Sequence, residues 1–238
     1  MNKFKTLFGV KETEIKSRCI IIPILNRDIL AALGNGELKK GLLYSVINQQ
    51  DFTIIRTGQG PSLCADAVLY LKKTPCQQLI LFGSCGLVKK TKQLNLSSIV
   101  NLEKSYNLES FSDLLNQNIL WRVGYPDKRL YNILMEMPGI HKAAAATVGS
   151  LKLEEDLIDL FVKKGVEVVE MESSAFFTAA NHCKLPAAAI CYVTDILKKK
   201  PFYAEFSPQE KFQIVNAAKI VAKKICNLLQ ANTTGLKK

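Results

Sequence analysis

Five groups of polar residues could form a chemical site in this sequence, because each follows an apolar run that reads as a strand. In an open α/β sheet, ligands bind beyond the carboxyl ends of the strands, so residues at those ends converge on one place. The groups are Asn26, Arg27 and Asp28; Gly58 and Gly60; Gly83, Ser84 and Gly86; Glu170 and Glu172; and Thr194 and Asp195. Together they predict a site with carboxylates, a hydroxyl and bare backbone, groups that bind polar ligands and transfer protons.

The stretch "VEVVEMESSAFF", residues 166–177, places two acids around Met171 just where small residues indicate the start of a helix. An ionised carboxylate is costly to bury unless a polar group meets it. Other interpretations stay open for each group taken alone. The glycines can serve tight turns, Asp195 and Ser84 can cap the elements that follow, and Glu172 and Asp28 can be acids in the first turn of a helix.

Apolar runs that indicate strands alternate along the chain with helical patterns. The strand patterns cover residues 19–25, 42–48, 52–58, 78–84, 97–102, 143–150, 166–171 and 186–195, and the helical patterns cover 60–73, 127–137, 153–165, 173–184 and a long final helix that starts near Ser207. This alternation predicts a three-layer α/β/α sandwich with a central mixed, largely parallel sheet. One domain is expected over residues 1–238, with loops in the irregular segment 101–129.

Composition excludes several classes of protein. The 238 residues contain seven cysteines without a CxxC pair and only two histidines, so neither a disulfide framework nor a metal site is expected. The longest apolar runs are too short to span a bilayer, and no signal-peptide pattern is recognisable, so we expect a cytoplasmic protein without membrane contact. The net charge of +11 comes from short, scattered lysine groups. A nucleic-acid partner is therefore not expected, although an anionic substrate stays possible.

The blocks "GSCG" at 83–86, "VEMES" at 169–173 and "CYVTD" at 191–195 resemble the nucleoside phosphorylase/nucleosidase family. This family includes purine nucleoside phosphorylase, uridine phosphorylase and the methylthioadenosine/S-adenosylhomocysteine nucleosidases. The resemblance runs from Ile20 to the final helix. It implies the phosphorylase/hydrolase-like fold, a purine nucleoside as substrate, and a homo-oligomer that is a dimer or is built from dimers. It implies no cofactor or metal.

The resemblance also implies roles for individual residues. Met171 and Glu172 would lie under the ribose, with Glu172 accepting hydrogen bonds from the 2′- and 3′-hydroxyls. Asp195 would be the catalytic acid, supplying a proton or hydrogen bond to N7 of the leaving purine, a role that uridine phosphorylases lack. The other residues expected to bind substrate are Glu170, Gly83, Ser84 and Thr194.

The nucleophile, water or phosphate, is left open by the resemblance. The position of a phosphate-binding arginine in the phosphorylases is Leu81 here, and that of an arginine in the nucleosidases is Cys191. Asp28 aligns with the glutamate that activates water in the nucleosidases, whereas Arg27 aligns with an early phosphate-binding arginine of the phosphorylases. We expect hydrolysis, with Asp28 as catalytic base and Ser84 holding the water. Phosphorolysis with Arg27 and Ser84 holding phosphate, and a nucleoside-binding protein that has lost catalysis, are the alternatives.

Overall fold

The computed structural model of the protein describes residues 2–34, 36–110 and 120–231. Its strands are β1 (Arg18–Ile22), β2 (Lys39–Lys40), β3 (Ser45–Asn48), β4 (Thr53–Arg56), β5 (Gln78–Leu87), β6 (Ile99–Leu108), β7 (Arg122–Gly124), β8 (Ile140–Val148), β9 (Val168–Glu170) and β10 (Ala187–Ile196). Its α-helices are α1 (Lys3–Phe8), α2 (Arg27–Leu33), α3 (Pro61–Leu71), α4 (Lys128–Met135), α5 (Leu151–Glu154), α6 (Ile158–Lys164), α7 (Ser173–Cys183) and α8 (Pro208–Ala231). Short 3₁₀ helices cover Glu12–Glu14 and Glu155–Leu157.

The strands form one mixed sheet in the order β10–β6–β8–β9–β5–β1–β4–β3–β2, with β7 paired to β6. Strand β5 is central because it pairs with β1, β9 and β10. Since β10 also pairs with β6, the strands β5, β9, β8, β6 and β10 close into a ring, and β1 to β4 extend from it as an open flank. The parallel strands β1, β5 and β10 therefore bring their carboxyl ends to the same edge.

Helices cover both faces of this sheet. Ile20 and Ile22 of β1 pack with residues of α2, α4 and α8, whereas Cys19 and Ile21 pack with residues of α3 and α7 on the other face. Successive side chains of a strand point to opposite faces of the sheet, and helices cover both faces, so all five residues of β1 are buried. Each isoleucine buried in this way contributes roughly 1.5–3 kcal/mol to the free energy of folding. The mixed sheet with helices on both faces confirms the predicted fold class.

The last helix, α8, begins with a capping box. The backbone N–H of Ser207 donates to the Glu210 carboxylate at 2.8 Å, and the backbone N–H of Glu210 donates to the Ser207 hydroxyl at 3.2 Å. The two bonds satisfy N–H groups that a helix start would otherwise leave unpaired.

Other predictions of local structure need correction. Loops were expected over residues 101–129, but β6 continues to Leu108 and β7 covers Arg122–Gly124. The polar residues of β6 belong to the sheet, since the buried Ser105 bonds to Thr147 of the neighbouring strand β8 at 3.0 Å. Residues 111–119 lie outside the described residues. The helix expected over 153–165 is divided into α5, a 3₁₀ turn and α6.

Among the described residues, no helix is both long enough and apolar enough to cross a membrane.

Candidate active site

A cavity of about 370 Å³ opens at the carboxyl ends of β1, β5, β9 and β10. Eight of the residues expected at the site line it, namely Gly83, Ser84, Gly86, Glu170, Met171, Glu172, Thr194 and Asp195. The remaining lining residues are Pro23, Ile24, Ile29, Gln59, Phe82, Cys85, Leu151, Glu154, Val169, Tyr192 and Phe202. The sheet therefore brings together polar residues that are more than a hundred positions apart in the chain.

Glu170 organises the floor of the cavity. Its carboxylate accepts hydrogen bonds from the hydroxyls of Thr147 at 2.5 Å and Ser173 at 2.7 Å, and from the backbone N–H groups of Glu172 at 2.8 Å and Ser173 at 2.6 Å. Burial raises the pKa of Glu170, while these bonds act in the opposite direction. Because its hydrogen bonds stay within the protein and meet the first amides of α7, Glu170 acts as a helix cap that positions Met171 and Glu172.

Replacing Glu170 by glutamine should destabilise the fold by about 1–3 kcal/mol, because the new amide NH₂ group would face donors in place of an acceptor. The free energy of unfolding, measured by urea denaturation, tests this. Glu136→Gln is the matched control, since Glu136 is exposed, and its effect should stay within about 0.5 kcal/mol. Equal stability of the two variants would contradict the assignment.

Glu172 is held in a defined orientation at the cavity wall. One of its carboxylate oxygens, Oε1, accepts a hydrogen bond of 2.6 Å from the backbone N–H of Gly60. Gly60 has φ of +107°, a conformation that favours glycine, and it directly precedes α3. Burial, and then the charge of Glu170, raise the pKa of Glu172 to about 8. Both acids of the motif line the cavity, but Glu170 is bonded to the start of α7 and Glu172 is bonded to the residue before α3.

Asp195 also lines the cavity and is only 4% exposed. The Thr194 hydroxyl donates to its Oδ1 at 2.8 Å. The other oxygen, Oδ2, packs over Gly86, where an added Cβ would lie only 3.2 Å from it. Glycine at this position of β5 therefore makes room for the carboxyl group. Burial raises the pKa of Asp195, which favours its protonated form, as a general acid requires.

Arg27 and Asp28 do not line the cavity, and neither do Asn26, Gly58 and Gly60. The side chain of Asn26 caps α2 by accepting from the backbone N–H of Ile29 at 2.9 Å, and this start of the helix turns Ile29 towards the cavity. Arg27 and Asp28 consequently face outwards. Asp28, with a side chain that is 50% exposed, forms an ion pair of 2.7 Å with Lys219 of α8.

Sequence reasoning missed Glu154, the fourth carboxyl group of the cavity wall. The run "LKLEED" reads as the charged surface of a helix, but the chain leaves α-helical geometry after Glu154, and this residue is only 6% exposed. Burial, and then the charges of Asp195 and Glu155, raise the pKa of Glu154 to about 8. The break between α5 and α6 could not be read from the hydrophobic pattern.

The cavity wall of the described chain is acidic. Four of its lining residues carry carboxyl groups, and no lysine, arginine or histidine is among them. Within the described residues, no group of three His, Cys, Asp or Glu side chains could hold a metal ion. The arrangement can therefore bind hydroxyl groups through carboxylates and donate a proton from a buried acid.

Comparison with known proteins gives a family match over most of the chain. The sequence profile of the Phosphorylase superfamily matches residues 33–231. No curated protein has a significantly similar sequence.

Several solved structures share the fold. A 5′-methylthioadenosine/S-adenosyl homocysteine nucleosidase from Campylobacter jejuni aligns with a TM-score of 0.71 at 16% identity, over 90% of this chain and 97% of that chain. A uridine phosphorylase from Vibrio fischeri aligns with a TM-score of 0.74 at 21% identity, over 94% of each chain. An MTA/SAH nucleosidase from Streptococcus pneumoniae, in complex with 8-aminoadenine, aligns with a TM-score of 0.65 at 20% identity, over 90% of this chain and 99% of that chain.

Proposed function

The chain belongs to the phosphorylase superfamily of nucleoside phosphorylases and nucleosidases, and from this premise we propose that it cleaves the N-glycosidic bond of a purine nucleoside with water as nucleophile. The observation that carries the proposal is the cavity itself, which Glu172 and Asp195 both line and to which the described residues contribute no lysine, arginine or histidine. A nucleoside needs one group for its ribose and another for its base, and these two carboxyls supply them.

Glu172 is proposed to accept hydrogen bonds from the 2′- and 3′-hydroxyls of the ribose, with Met171 beneath the sugar. A charge-assisted bond of this kind is worth roughly 1.5–3 kcal/mol. It needs the ionised form of Glu172, and because burial and the charge of Glu170 raise the pKa of Glu172 to about 8, that form increases as the pH rises towards 8. As the bond to the base breaks, the ribose gains positive charge, so a nearby carboxylate stabilises the transition state more than the substrate. The hydrogen bond from the backbone N–H of Gly60 to Oε1 orients the carboxyl group of Glu172 before substrate binds.

Asp195 is proposed to donate its proton to the leaving base. The bond from Thr194 to Oδ1 leaves Oδ2 as the oxygen that can carry the proton. A purine offers N7 as the acceptor, whereas a pyrimidine has no equivalent ring nitrogen at that place. The acid therefore supports a purine substrate, although the chain shares its fold with a uridine phosphorylase as well as with nucleosidases.

Water is favoured over phosphate because the described residues of the cavity wall include no lysine, arginine or histidine. A phosphorylase clamp for phosphate needs arginine, which carboxyl groups cannot replace. Leu81 and Cys191, at positions where family members carry arginine, are 1% and 2% exposed and belong to the core. Arg27 faces away from the cavity. Ser84, Gln59 and Tyr192 are lining residues with uncharged polar groups that are available to hold a water molecule.

A nucleoside-binding protein without catalysis is the second candidate. It is favoured by the position of Asp28, whose ion pair with Lys219 keeps it from the place of a water-activating base. On the first proposal, the buried acid Asp195 makes the base a good leaving group, so that weakly activated water suffices. Assembly as a homo-oligomer is a further part of the proposal and rests on the family resemblance.

Base release from a purine nucleoside should be independent of phosphate. We would incubate the protein with adenosine, inosine and 5′-methylthioadenosine, with and without inorganic phosphate, and separate the products by chromatography. Free base with the free sugar in both buffers is the expected result. A sugar 1-phosphate that forms only when phosphate is added would instead establish phosphorolysis.

A further inference from the structure

Residues 201–206 form a loop between β10 and α8, and this cavity loop contributes Phe202 to the wall of the cavity. None of its six residues is buried. Phe202 is 53% exposed and Tyr203 is 66% exposed. Aromatic rings in such positions gain little from burial in the core. Contacts other than core packing must therefore hold the loop beside the cavity.

Both ends of the cavity loop are anchored. Before it, Lys200 exchanges backbone hydrogen bonds with Ile196 at 2.8 and 2.9 Å. After it, Ser207 and Glu210 form the capping box of α8, and Glu210 also makes an ion pair of 2.6 Å with Lys200. The two anchors are thus tied to each other. A movement of the six residues between them leaves the sheet and α8 in place.

One side-chain hydrogen bond fastens the cavity loop to another part of the cavity wall. The Tyr203 hydroxyl donates to Oε1 of Glu155 at 2.8 Å. Glu155 directly follows α5, whose residues Leu151 and Glu154 line the cavity. Among the hydrogen bonds of the described chain, it alone joins residues 201–206 to a residue beyond the anchors, and the one other bond of these residues stays inside the loop. The bond therefore links two segments that both contribute to the cavity wall.

The position of Tyr203 also determines that of Phe202. The two rings meet edge to face, with centroids 5.2 Å apart and planes at 83°, an arrangement that aromatic pairs favour. Phe202 and Leu151, which is 43% exposed, present apolar surface where they line the cavity. Ligand sites are lined mostly by such apolar and aromatic side chains. Holding Tyr203 at Glu155 consequently keeps an aromatic ring at the cavity.

We propose that Tyr203 and Glu155 are positioning residues, whose hydrogen bond holds Phe202 in place to cover the nucleoside in the cavity. The identity of the ligand rests on the proposed function. A loop fastened by one exposed bond has low local stability, as expected of a segment that opens to admit a substrate and closes over it. The bond joins two parts of the protein itself, so it lowers the cost of ordering the loop when a ligand binds. Neither residue lines the cavity, so the bond affects substrate affinity more than the chemical step.

The variant Tyr203→Phe removes the hydroxyl and keeps the ring. KM for a purine nucleoside that the protein cleaves should rise about 2–10-fold, the effect of one lost hydrogen bond, while kcat stays within about twofold. Tyr125→Phe is the matched control, because Tyr125 is 65% exposed and lies outside this cavity. It should change neither constant.

Variants of Glu155 test the other end of the bond. Glu155→Ala removes the acceptor and should raise KM as much as Tyr203→Phe does. Glu155→Gln keeps an oxygen that accepts from Tyr203, so its KM should stay close to that of the unmodified protein. The double variant Tyr203→Phe/Glu155→Ala should be no worse than either single variant, because both remove the same bond. Additive effects, or an unchanged KM in both single variants, would overturn the inference.

A second measurement needs no turnover. Chymotrypsin cleaves after aromatic residues, and the cavity loop offers Phe202, Tyr203 and Phe206, of which position 203 stays aromatic in Tyr203→Phe. Cleavage within the loop, followed by mass spectrometry, should be about 2–10-fold faster in Tyr203→Phe and Glu155→Ala, since it tracks the population of the open loop. Equal rates in all proteins would overturn the inference. Faster cleavage in both variants without base release from any nucleoside would support the fastened loop and reject the proposed function.

Discussion

Replacing Asp195 by asparagine is expected to lower kcat for a purine nucleoside by about 10²–10⁴-fold, the usual contribution of a general acid. Asparagine fills the same space over Gly86 and can still accept from Thr194, but it has no proton of comparable acidity to give to the base. The fold should therefore survive while the leaving group loses its acid. Steady-state rates of base release, measured by chromatography, test this.

Asp28→Asn is the informative comparison, because it makes the same chemical change at a carboxyl group outside the cavity. On the structure, this variant keeps most of its activity. A loss as large as that of Asp195→Asn would show that Asp28 reaches the site during turnover, and retention of activity in Asp195→Asn would remove the acid from the mechanism. Circular dichroism of both variants checks that they are folded.

Replacing Glu172 by alanine should have the second large effect. Two charge-assisted hydrogen bonds to the ribose hydroxyls, at roughly 1.5–3 kcal/mol each, correspond to a loss in kcat/KM of about 10²–10⁴-fold. Glu172→Gln keeps an acceptor for the backbone N–H of Gly60 and should lose less. The measurement is kcat/KM for a ribonucleoside and for its 2′-deoxy analogue with each protein.

The comparison of substrates separates a contact with the sugar from general damage to the site. The unmodified protein should prefer the ribonucleoside, and Glu172→Ala should lose most of that preference. If the variant discriminates between the two sugars as well as the unmodified protein does, Glu172 does not bind the 2′-hydroxyl, and its role is confined to the turn at Gly60.

Most of the cavity could be predicted from the sequence, because residues at the ends of neighbouring parallel strands must meet. Ser84 and Asp195 belong to the parallel pair β5 and β10, so this rule applies to them. Glu172 follows β9, which pairs antiparallel with the last residues of β5, so the rule does not cover its place in the cavity. The distinction between Glu170 and Glu172 could not be predicted. Both follow the same strand, and only the hydrogen bonds at the start of α7 show that the first is a cap.

The positions of Asp28 and Glu154 relative to the cavity could not be predicted from the sequence, for a different reason. Each depends on where a helix begins or ends, and a shift of one residue rotates a side chain by about 100° around the helix axis. With Asn26 as the cap of α2, Ile29 faces the cavity and Asp28 faces Lys219. Because α5 ends at Glu154, an acid from a surface-like run lies inside. Helix ends carry weaker sequence signals than strands do.

The segment around β6 shows a similar limit. Its polar residues suggested loops, since β-branched and apolar residues are the usual mark of a strand. In the structure these residues pair with β8 on one side and with β7 on the other. The bond between Ser105 and Thr147 then links β6 to Glu170 through the Thr147 hydroxyl. The buried Asn101 and Ser105 interrupt the apolar pattern of β6, so a search for apolar runs does not detect its full length.

The most direct test of the proposed N-glycosidic cleavage is the release of base by the unmodified protein. Adenosine, inosine, 5′-methylthioadenosine and uridine would be incubated separately in phosphate-free buffer, and free base and free sugar quantified. Cleavage at the site predicts free purine base with an equal amount of free sugar from at least one purine nucleoside, and none from uridine. No base from any of them, together with tight binding of adenine by calorimetry, would contradict catalysis and establish a nucleoside-binding protein.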